Sequence, residues 1–253
     1  MGIGVPDALL VALEKRFLDT GEPRDLTLLF AAGQGDGKDR GLNALGHAGL
    51  LRRAIGGHWG LIPKVGRLAM EGHIEAYNLP QGVISHMYRD IAAGKPGTIS
   101  RVGLWTFVDP RLEGGKINGR TTEDIVRLIE IDGQEWLFYR GLPLQIAFLR
   151  GTTSDPNGNV TAEREALDLD NLAMAMAVKN SGGAVIVQVE RIARSGSLNP
   201  RQVPISGFLS TVSWLQSPNT TGRPMQPPII RHTALRPLFH WMPCRLCRWT
   251  SAR

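Results

Sequence analysis

The sequence predicts an α/β protein built in three layers, in which helices flank an open, mostly parallel β-sheet. Two apolar runs of strand length, Leu26–Ala32 and Ala184–Val189, have the composition of strands buried on both faces of a parallel sheet. Segments with a helical spacing of apolar residues alternate with such runs, and this order favours right-handed crossovers between parallel strands. Binding residues are therefore expected in the loops that follow the carboxyl ends of the strands.

The positive charge of the chain is concentrated near its C-terminus. The sequence of 253 residues contains 29 Lys and Arg and 23 Asp and Glu, and residues 202–253 hold six arginines and no acid. Those six arginines account for the whole formal net charge of +6. We therefore predict a neutral folded domain over residues 1–209 and a basic, proline-rich, disordered tail over residues 210–253. Nucleic-acid binding through the tail stays open as an alternative, but we expect no nucleic-acid partner for the folded domain.

Composition also limits the compartment and the chemistry. No apolar run approaches the roughly 20 residues that cross a bilayer, and the first residues lack a basic stretch followed by an apolar one. The sequence thus predicts a cytoplasmic protein without a membrane partner. Both cysteines, Cys244 and Cys247, lie in the tail, so the folded domain is predicted to have no disulfide and no thiolate nucleophile.

The first elements follow from apolar spacing and from glycine and proline. Apolar residues at helical spacing predict a helix over residues 5–18, which the Gly-Glu-Pro-Arg sequence at 21–24 ends. The strand Leu26–Ala32 comes next, and a glycine-rich loop follows it. The sequence then predicts a helix (residues 42–53), a loop (56–60), a short helix (64–71), a strand (74–79) and a helix (83–93).

The second half of the domain continues the alternation. An Asp-Gly pair between two β-prone runs predicts a hairpin of residues 125–131 and 135–139. A helix over residues 163–179 is predicted with Leu167, Met174 and Val178 facing inward, and the acids at its start are interpreted as a solvated face. The remaining elements are a strand (144–149), a turn (155–158) and the strand Ala184–Val189.

The loop after the first strand begins with Gly33, Gln34, Gly35 and Asp36, whose backbone amides could bind a phosphate or a carboxylate. The formal phosphate motifs are not met. A Walker loop needs Ser or Thr at position 39, and the dinucleotide fingerprint breaks at Lys38. Contact with a ligand and a plain tight turn therefore both remain open.

Asn78, Gln81 and Gly82 also follow a predicted strand and open a predicted helix. Two side-chain amides and the free N–H groups of a helix start suit a ligand that carries a carboxylate or an amide. The alternative is a capped helix start, in which Asn78 satisfies its own backbone.

The histidines give no metal site. His58 and His86 lack partners at the spacing of a metal site or of a catalytic triad, so no metal is expected. His240 with Cys244 and Cys247 resembles half a zinc site, but a second ligand pair is missing.

A series of short motifs along the chain resembles family I coenzyme A transferases, most closely the propionate/acetate CoA-transferase type. The resemblance covers about residues 2–209. The motifs are Gly4-Val-Pro-Asp-Ala-Leu9, Ala32-Gly-Gln-Gly-Asp-Gly37, Gly57-His-Trp-Gly60, Tyr77-Asn-Leu-Pro-Gln-Gly82, Gly94-Lys-Pro-Gly97, Thr106-Phe-Val-Asp-Pro-Arg111, Glu113-Gly-Gly-Lys116, Arg150-Gly-Thr-Thr153, Asp155-Pro-Asn-Gly-Asn159 and Asn180-Ser-Gly-Gly183.

The resemblance implies an acyl-CoA:carboxylate CoA-transferase that moves coenzyme A between short-chain acids through an intermediate on an enzyme glutamate. The coenzyme A thioester is then a substrate, and no permanently bound cofactor is implied. In the family that glutamate lies in a C-terminal half without a counterpart here, so no catalytic residue is assigned. The implied substrate-binding residues are Gly33, Gln34, Gly35, Asp36, Asn78, Gln81 and Gly82. Trp105 departs from the family pattern, which has a small residue at its position, and we expect its bulky side chain to crowd the pocket.

The resemblance also implies a truncated chain, since the family's first strand would precede Gly4 and its second half would follow residue 209. Another reading frame near residue 210 spells strings that resemble the family's continuation, so we expect a frameshift there. The expected partners are an acyl-CoA, a short-chain carboxylate, and either further copies in a homo-oligomer or a complementing half. The alternatives left open are a non-catalytic remnant, one half of a split enzyme, and a sugar-phosphate isomerase-like α/β enzyme.

Overall fold

The computed structural model describes residues 3–215 and 229–230. Within these residues the chain forms α-helices and β-strands in alternation, with two short 3₁₀ helices, Leu42–Leu45 and Pro200–Gln202. The α-helices are α1 (Asp7–Thr20), α2 (Pro63–Met70), α3 (Gln81–Ala92) and α4 (Asn171–Asn180). The strands are β1 (Leu26–Ala32), β2 (Leu51–His58), β3 (Glu75–Asn78), β4 (Gly97–Ser100), β5 (Val126–Ile131), β6 (Gln134–Arg140), β7 (Ile146–Arg150), β8 (Thr153–Ser154), β9 (Val160–Thr161), β10 (Ala184–Val189), β11 (Arg191–Ile192), β12 (Val212–Leu215) and β13 (Ile229–Ile230).

The first sheet is parallel and has the order β1-β2-β3, with β2 in the centre. Its two faces pack against different helices because side chains alternate along a strand. Ile55 and Tyr77 belong to the buried cluster that contains the inner face of α3. Their chain neighbours Ala54 and Ala76 belong to the cluster that contains residues of α1 and α2. The sheet is therefore the middle of three layers.

The second sheet has the order β13-β12-β10-β7, with parallel pairing among its last three strands. Leu149 and Val187 of this sheet pack against Val178 of α4. Two smaller sheets complete the described fold: an antiparallel one of order β4-β6-β5 and a three-stranded one of order β11-β8-β9.

The first turn of α1 makes hydrogen bonds to the segment after β1 and to β10 of the second sheet. The Asp7 carboxylate accepts a hydrogen bond from the backbone N–H of Gly41 at 2.9 Å, in the segment that follows β1. The backbone N–H of Ala8 donates to Oε1 of the buried Gln188 of β10, also at 2.9 Å. The start of α1 therefore fixes the loop after β1 against the end of β10.

Several predicted elements are confirmed by the structure. The helix over residues 5–18 corresponds to α1, and the hairpin corresponds to the antiparallel pair β5 and β6. The predicted strand Ala184–Val189 is β10, which is almost completely buried. The strand Leu26–Ala32 is present as β1, but it lies at the edge of its sheet and only Phe30 is fully buried, so its expected burial on both faces is wrong.

The helix predicted over residues 42–53 is wrong. The chain forms a single 3₁₀ turn there, passes through Gly49 with a left-handed φ of 86°, and then enters β2. The predicted loop over residues 56–60 also begins inside this strand. Ala54 and Ile55 are completely buried because β2 is the central strand of its sheet. This tertiary burial overrides the helical pattern of the local sequence.

The helix predicted over residues 163–179 is correct only in its second part. The helix α4 begins at Asn171, and Leu167 is exposed, whereas Val178 is buried as expected. The acids before Asn171 do not form a solvated helix face. Glu163 and Glu165 lie in the turn before the helix and form ion pairs with arginines.

The tail predicted for residues 210–253 is only partly described. β12 lies beyond the predicted boundary at residue 209 and pairs in parallel with β10. Residues 216–228 and 231–253, among them His240, Cys244 and Cys247, lie outside the described residues. The domain boundary, the disordered tail and the frameshift therefore stay predictions. Among the helices that the structure describes, none combines the length and the apolarity needed to cross a bilayer.

Asp109 holds the long loop between β4 and β5 together. Its side chain is completely buried, and it accepts hydrogen bonds from the backbone N–H groups of Trp105 and Arg111 and from the Arg111 guanidinium, at 2.8–3.0 Å. The Arg111 hydrogen bonds hold the pKa of Asp109 well below its usual range. A second carboxylate, the more exposed Glu135, accepts from the same guanidinium at 2.8 Å.

We expect Asp109→Ala to lower the free energy of unfolding by about 3 kcal/mol, because the Arg111 guanidinium and two backbone N–H groups lose a completely buried acceptor. The matched variant Glu135→Ala removes the exposed carboxylate from the same arginine and should cost less than about 1 kcal/mol. Urea unfolding of the two variants measures the difference. Equal losses would contradict the assigned role of Asp109.

Glu163 joins three elements at the carboxyl side of the second sheet. It accepts hydrogen bonds from the hydroxyls of Thr153 and Thr161, and the Arg191 guanidinium lies 2.6 Å away. Partial burial of Glu163 acts to raise its pKa, but the two hydroxyls and the guanidinium outweigh this effect and lower the pKa to about 2. The carboxylate form is therefore favoured in the folded chain.

The lowered pKa of Glu163 predicts a defined pH dependence of stability. Its contribution should be fully present above pH 4.5, the ordinary pKa of the group, and should be lost as the pH falls toward about 2. The difference in free energy of unfolding between the parent chain and Glu163→Gln should therefore shrink through this window. Urea titrations between pH 6 and about pH 3 measure it, and a constant difference would show that the carboxylate is not stabilised in this way.

Candidate functional site

The candidate site lies at the carboxyl edge of the first parallel sheet. The strands β1, β2 and β3 end there at Ala32, His58 and Asn78. Ala32 pairs with His58, so β1 and β2 end level with each other, whereas Asn78 pairs with Gly56 and β3 therefore ends two residues earlier. The loop that starts at Gly33 and the start of α3 at Gln81 therefore meet at one edge, as the sequence predicts for strands of a parallel sheet.

The glycine-rich loop after β1 is pressed against the segment after β2. The Gly33 N–H donates to the His58 carbonyl at 2.7 Å, and the Gly37 N–H donates to the Leu61 carbonyl at 3.0 Å. A Cβ at Gly35 would lie 2.2 Å from the Leu61 carbonyl oxygen. Gly33 and Gly35 are buried, so they are required for close packing of the loop and offer little surface to a ligand.

The Asp36 carboxylate accepts hydrogen bonds from the backbone amides that could otherwise have bound an external anion. Its Oδ1 accepts hydrogen bonds from the backbone N–H groups of Lys38, Asp39 and Arg40 at 2.9–3.0 Å. These bonds, the one from Arg40 first, lower the pKa of the Asp36 carboxyl. Gln34 is also engaged, since its Nε2 donates to the Ile3 carbonyl at 3.3 Å. The loop is thus a self-satisfied turn.

Asn78 closes the end of the sheet. With its amide oriented to satisfy its hydrogen bonds, the side-chain nitrogen donates to the carbonyls of Gly56 and Gly57 at 3.2 and 3.1 Å. Its backbone N–H donates to the Gly115 carbonyl at 2.7 Å. Asn78 therefore bonds to β2 on one side and to the segment around Gly115 on the other. It does not cap α3.

The start of α3 offers free hydrogen-bond donors. Pro80 precedes the helix and no side chain caps it, so the N–H groups of Gln81, Gly82 and Val83 have no intrahelical acceptor. Gln81 and Gly82 are exposed, and the Gln81 side chain makes no hydrogen bond to the residues that the structure describes. Unpaired amides, the positive end of the helix dipole and a side-chain amide together suit a carboxylate.

Gly57 of β2 brings the start of α3 against the sheet. A Cβ at Gly57 would lie 2.5 Å from the Ala31 carbonyl oxygen and 2.7 Å from Cα of Gln81. Real Cβ atoms do not come this close to backbone atoms. The absence of a side chain at Gly57 therefore sets the position of Gln81 relative to the strand ends.

Charged side chains form a group of ion pairs beside β3, the strand that ends at Asn78. Arg53 of β2 pairs with Glu75 and with Glu123, and Glu123 also pairs with Arg140. The buried Tyr77 donates its hydroxyl to the Glu123 carbonyl at 2.8 Å, and burial raises its pKa to about 12. Tyr77 is thus a neutral hydrogen-bond donor that fixes the segment before β5 to β3.

The loop between β4 and β5 also borders the site, through Gly115, which is not among the site residues predicted from the sequence. The Gly115 carbonyl accepts from Asn78, and the Gly115 N–H donates to the Phe107 carbonyl at 2.9 Å. Trp105 and Phe107 of this loop are 71% and 45% exposed. The available signal was two large aromatic residues, Trp105 and Phe107, in a segment that has four glycines between positions 101 and 125.

The two histidines considered from the sequence, His58 and His86, do not form a metal site at this edge. His58 is exposed at the end of β2, and its backbone carbonyl accepts from Gly33. His86 is exposed on α3. Within residues 3–215, no three His, Asp or Glu side chains are arranged to hold a metal ion.

A parallel sheet with covered faces and a helix start at its carboxyl edge is the arrangement of a ligand-binding α/β protein. The sequence matches the coenzyme A transferase family over residues 1–211, and the chain belongs to this family. The α/β fold class and the family resemblance found in the sequence are thereby confirmed.

Similar curated proteins are CoA-transferases. The chain is 48% identical over 210 residues to the caffeate CoA-transferase of Acetobacterium woodii, covering 83% of this chain and 40% of that protein. It is 43% identical over 208 residues to the acetate CoA-transferase YdiF of Escherichia coli K12, covering 82% of this chain and 39% of that protein. The chain thus spans about 40% of the length of these two relatives. The acetate CoA-transferase subunit alpha of the same E. coli strain is 30% identical, with 82% of each chain covered.

Solved structures agree with the sequence comparison. The YdiF apoenzyme of E. coli O157:H7 superposes with a TM-score of 0.83 at 41% identity, covering 89% of this chain and 44% of that one. The glutaconate CoA-transferase of Acidaminococcus fermentans superposes with a TM-score of 0.64 at 16% identity, covering 83% of this chain and 66% of that one, which shows the shared fold alone.

We expect Gly57→Ala to destabilise the chain by about 2 kcal/mol, because the new methyl group must displace the start of α3. Gly82→Ala is the matched control, since a Cβ at Gly82 meets nothing within 4 Å. This second variant should be neutral or more stable by up to about 1 kcal/mol, as alanine favours a helix. Thermal and urea unfolding of both variants measure the effect. A Gly57→Ala variant as stable as Gly82→Ala would disprove the close approach of helix and strand.

Proposed function

We propose that the chain is the carboxylate-binding half of an acyl-CoA:carboxylate CoA-transferase of the propionate/acetate type. The observation that carries this proposal is the uncapped start of α3, with Gln81 and Gly82 exposed at the carboxyl edge of the sheet, in a chain of the coenzyme A transferase family. The substrates are then a coenzyme A thioester and a free short-chain acid. No permanently bound cofactor is needed for this exchange.

The exchange is a sequence of acyl transfers to and from a carboxylate. A glutamate carboxylate attacks the thioester carbonyl, and the coenzyme A thiolate leaves with the electrons of the broken C–S bond. The thiolate then attacks the glutamyl carbonyl of the resulting anhydride and releases the first acid. The second acid then attacks the glutamyl thioester, which gives a new anhydride and frees the thiolate. The thiolate attacks the acyl carbonyl of this anhydride, and the products are the new acyl-CoA and the free glutamate. The family resemblance puts this glutamate in the other half, so no residue of this chain is assigned the nucleophile's role.

The residues of this chain bind and orient the acid. Gln81 can donate a hydrogen bond from Nε2 to one carboxylate oxygen, and the N–H of Gly82 can donate to the other. The same donors can stabilise the oxyanion that forms when the acyl carbon of the thioester or of the anhydride is attacked and becomes tetrahedral. We expect positioning roles for Asn78, Gly33, Gln34, Gly35 and Asp36, because their polar groups are bonded within the chain or are buried.

We favour an enzyme in which the complementing half is a second, separate polypeptide. The relative named acetate CoA-transferase subunit alpha matches this chain over 82% of its own length, so a chain of this extent occurs as one subunit. Leu172 and Met176 on the outer face of α4 and the nearby apolar Phe208 are exposed, which suits a subunit interface. A homo-oligomer of this chain and a non-catalytic remnant are the competing outcomes, and no observation favours the isomerase alternative.

The nature of the acyl group is left open by the relatives, since their names cover caffeate as well as acetate. We propose short-chain acids as substrates on the basis of the sequence motifs. Cytoplasmic function fits these substrates.

We predict that the purified chain forms acetyl-CoA from propionyl-CoA and acetate only when the C-terminal half of a CoA-transferase is added. In that mixture Gln81→Ala should lower kcat/KM about 10- to 100-fold, which corresponds to one hydrogen bond to a charged group. Chromatographic detection of acetyl-CoA measures both effects. Gln134→Ala at the start of β6 is the matched control and should keep the parent rate.

Acetyl-CoA formation by the isolated chain would contradict the assignment of the nucleophile to the other half. A Gln81→Ala variant with the parent rate would contradict the proposed carboxylate site. A mixture without any product would favour the non-catalytic remnant.

A further inference from the structure

We propose that one face of the antiparallel sheet β4-β6-β5 is an interface between two copies of this chain, packed face to face about a two-fold axis. This outer face carries apolar side chains from all three strands: Ile99, Ile129, Ile131, Trp136 and Phe138. Pairing through it is independent of the proposed function. It uses a different surface from the exposed face of α4, so paired copies can still bind a complementing half there.

The sheet has two different faces because side chains alternate along its strands. Leu137 and Tyr139 of β6 are buried in the cluster that contains the inner side chains of α3. Their chain neighbours Trp136 and Phe138 therefore point to the other side of the sheet. The Phe138 ring lies across β4 on that side, since a Cβ at Gly97 would be 2.7 Å from it. The inner face thus packs on a helix, and the outer face points away from it.

The outer face is apolar and packs on none of the buried clusters that the described residues form. Ile99 and Ile131 are 48% and 39% exposed. In the pairing register, Ile129 lies opposite Trp136 and Ile99 lies opposite Phe138, so the apolar surface continues across all three strands. A contiguous apolar surface of this kind marks an interaction site.

Free charges of opposite sign lie at the two ends of β5. Arg127 is exposed on the outer face, opposite Phe138. Asp132 is exposed in the turn that follows β5. Within the described residues neither makes a direct ion pair, and Asp124, the acid near Arg127, is already paired with Lys116. Each end of the strand therefore offers an unpaired charge to a partner.

A two-fold axis near the Ile129–Trp136 pair brings these opposite charges together. The axis lies between the stacked sheets and perpendicular to their strands, so the two hairpins run antiparallel across the interface. Arg127 and Asp132 lie on either side of residue 129 along the chain. Arg127 of one copy is therefore placed over Asp132 of the other, and the symmetry repeats the contact. Packed sheets lie about 10 Å apart, a space that interdigitating large side chains fill.

The charges of the outer face favour a second copy over the basic C-terminal segment as its occupant. Arg101 lies over the Trp136 ring at 5.9 Å and adds a second positive charge beside Arg127. Residues 231–253 contain arginines and no acid, so like charges would meet if they docked there. A second copy instead supplies Asp132 at the matching position.

Sedimentation velocity of the full chain tests the proposal. The parent chain should form a dimer of twice the 27.7 kDa of one chain, in a fraction that rises with concentration. Ile99→Glu and Ile131→Glu each bring an unpaired charge into the interface and should raise the dissociation constant at least about tenfold. Met70→Glu places the same charge at another exposed apolar position, on α2, and should leave the dimer unchanged.

A charge swap tests the two-fold arrangement itself. Arg127→Glu and Asp132→Lys each bring like charges together in both symmetric contacts, so each variant alone should associate about tenfold more weakly. In an equimolar mixture of the two variants, the mixed dimer joins opposite charges at both contacts. The mixture should therefore associate as strongly as the parent chain.

Asp132 has a left-handed φ of 51°, so the fold of its variants needs a separate check. Urea unfolding shows whether Asp132→Lys keeps the parent stability. Asp132→Asn removes the charge with a residue that tolerates this conformation, and it should also weaken association, by a smaller factor.

The outcomes separate this face from other surfaces. A parent chain that sediments as a monomer at every concentration would overturn the proposal. A dimer that survives Ile99→Glu and Ile131→Glu would also overturn it, and disruption by Leu172→Glu instead would assign the contact to α4. If the mixture of charge variants stays as weak as each variant alone, the antiparallel stacking is disproved.

Discussion

The contact between Gly57 of β2 and the first residue of α3 is the constraint on which the candidate site depends. A helix start can approach a strand this closely only where the strand has no side chain. The contact directs the free amides of α3 toward the ends of the three parallel strands. The packed glycine loop and the Asn78 side chain both bond to the last residues of β2 or to the segment after it, and so hold the neighbouring strand ends together.

The polar groups around the site divide into those that hold the chain and those that are free for a ligand. Asp36, Asn78 and Asp109 have their hydrogen-bonding capacity filled by the backbone or by neighbouring side chains. Gln81 and the first amides of α3 do not. This division is consistent with a site whose donors are fixed before the substrate arrives, which is the arrangement that best stabilises a developing oxyanion.

Much of this organisation could be predicted from the sequence. Alternating strand and helix signals gave β1, β3, α3, β10 and the β5–β6 hairpin, and the motifs gave the family. The central strand β2 was missed because its glycines and its short apolar stretch resemble a helix end when burial is unknown. The contact of Gly115 with the sheet edge could not be predicted, since it depends on a hydrogen bond to Asn78 across more than thirty residues of loop and helix.

The self-satisfied loop after β1 has a consequence for where phosphate groups can bind. The Asp36 carboxylate already accepts from the backbone amides that a typical nucleotide-binding loop would present, and its charge repels a phosphate. The proposed function therefore requires that the phosphates of the coenzyme A thioester bind away from this turn.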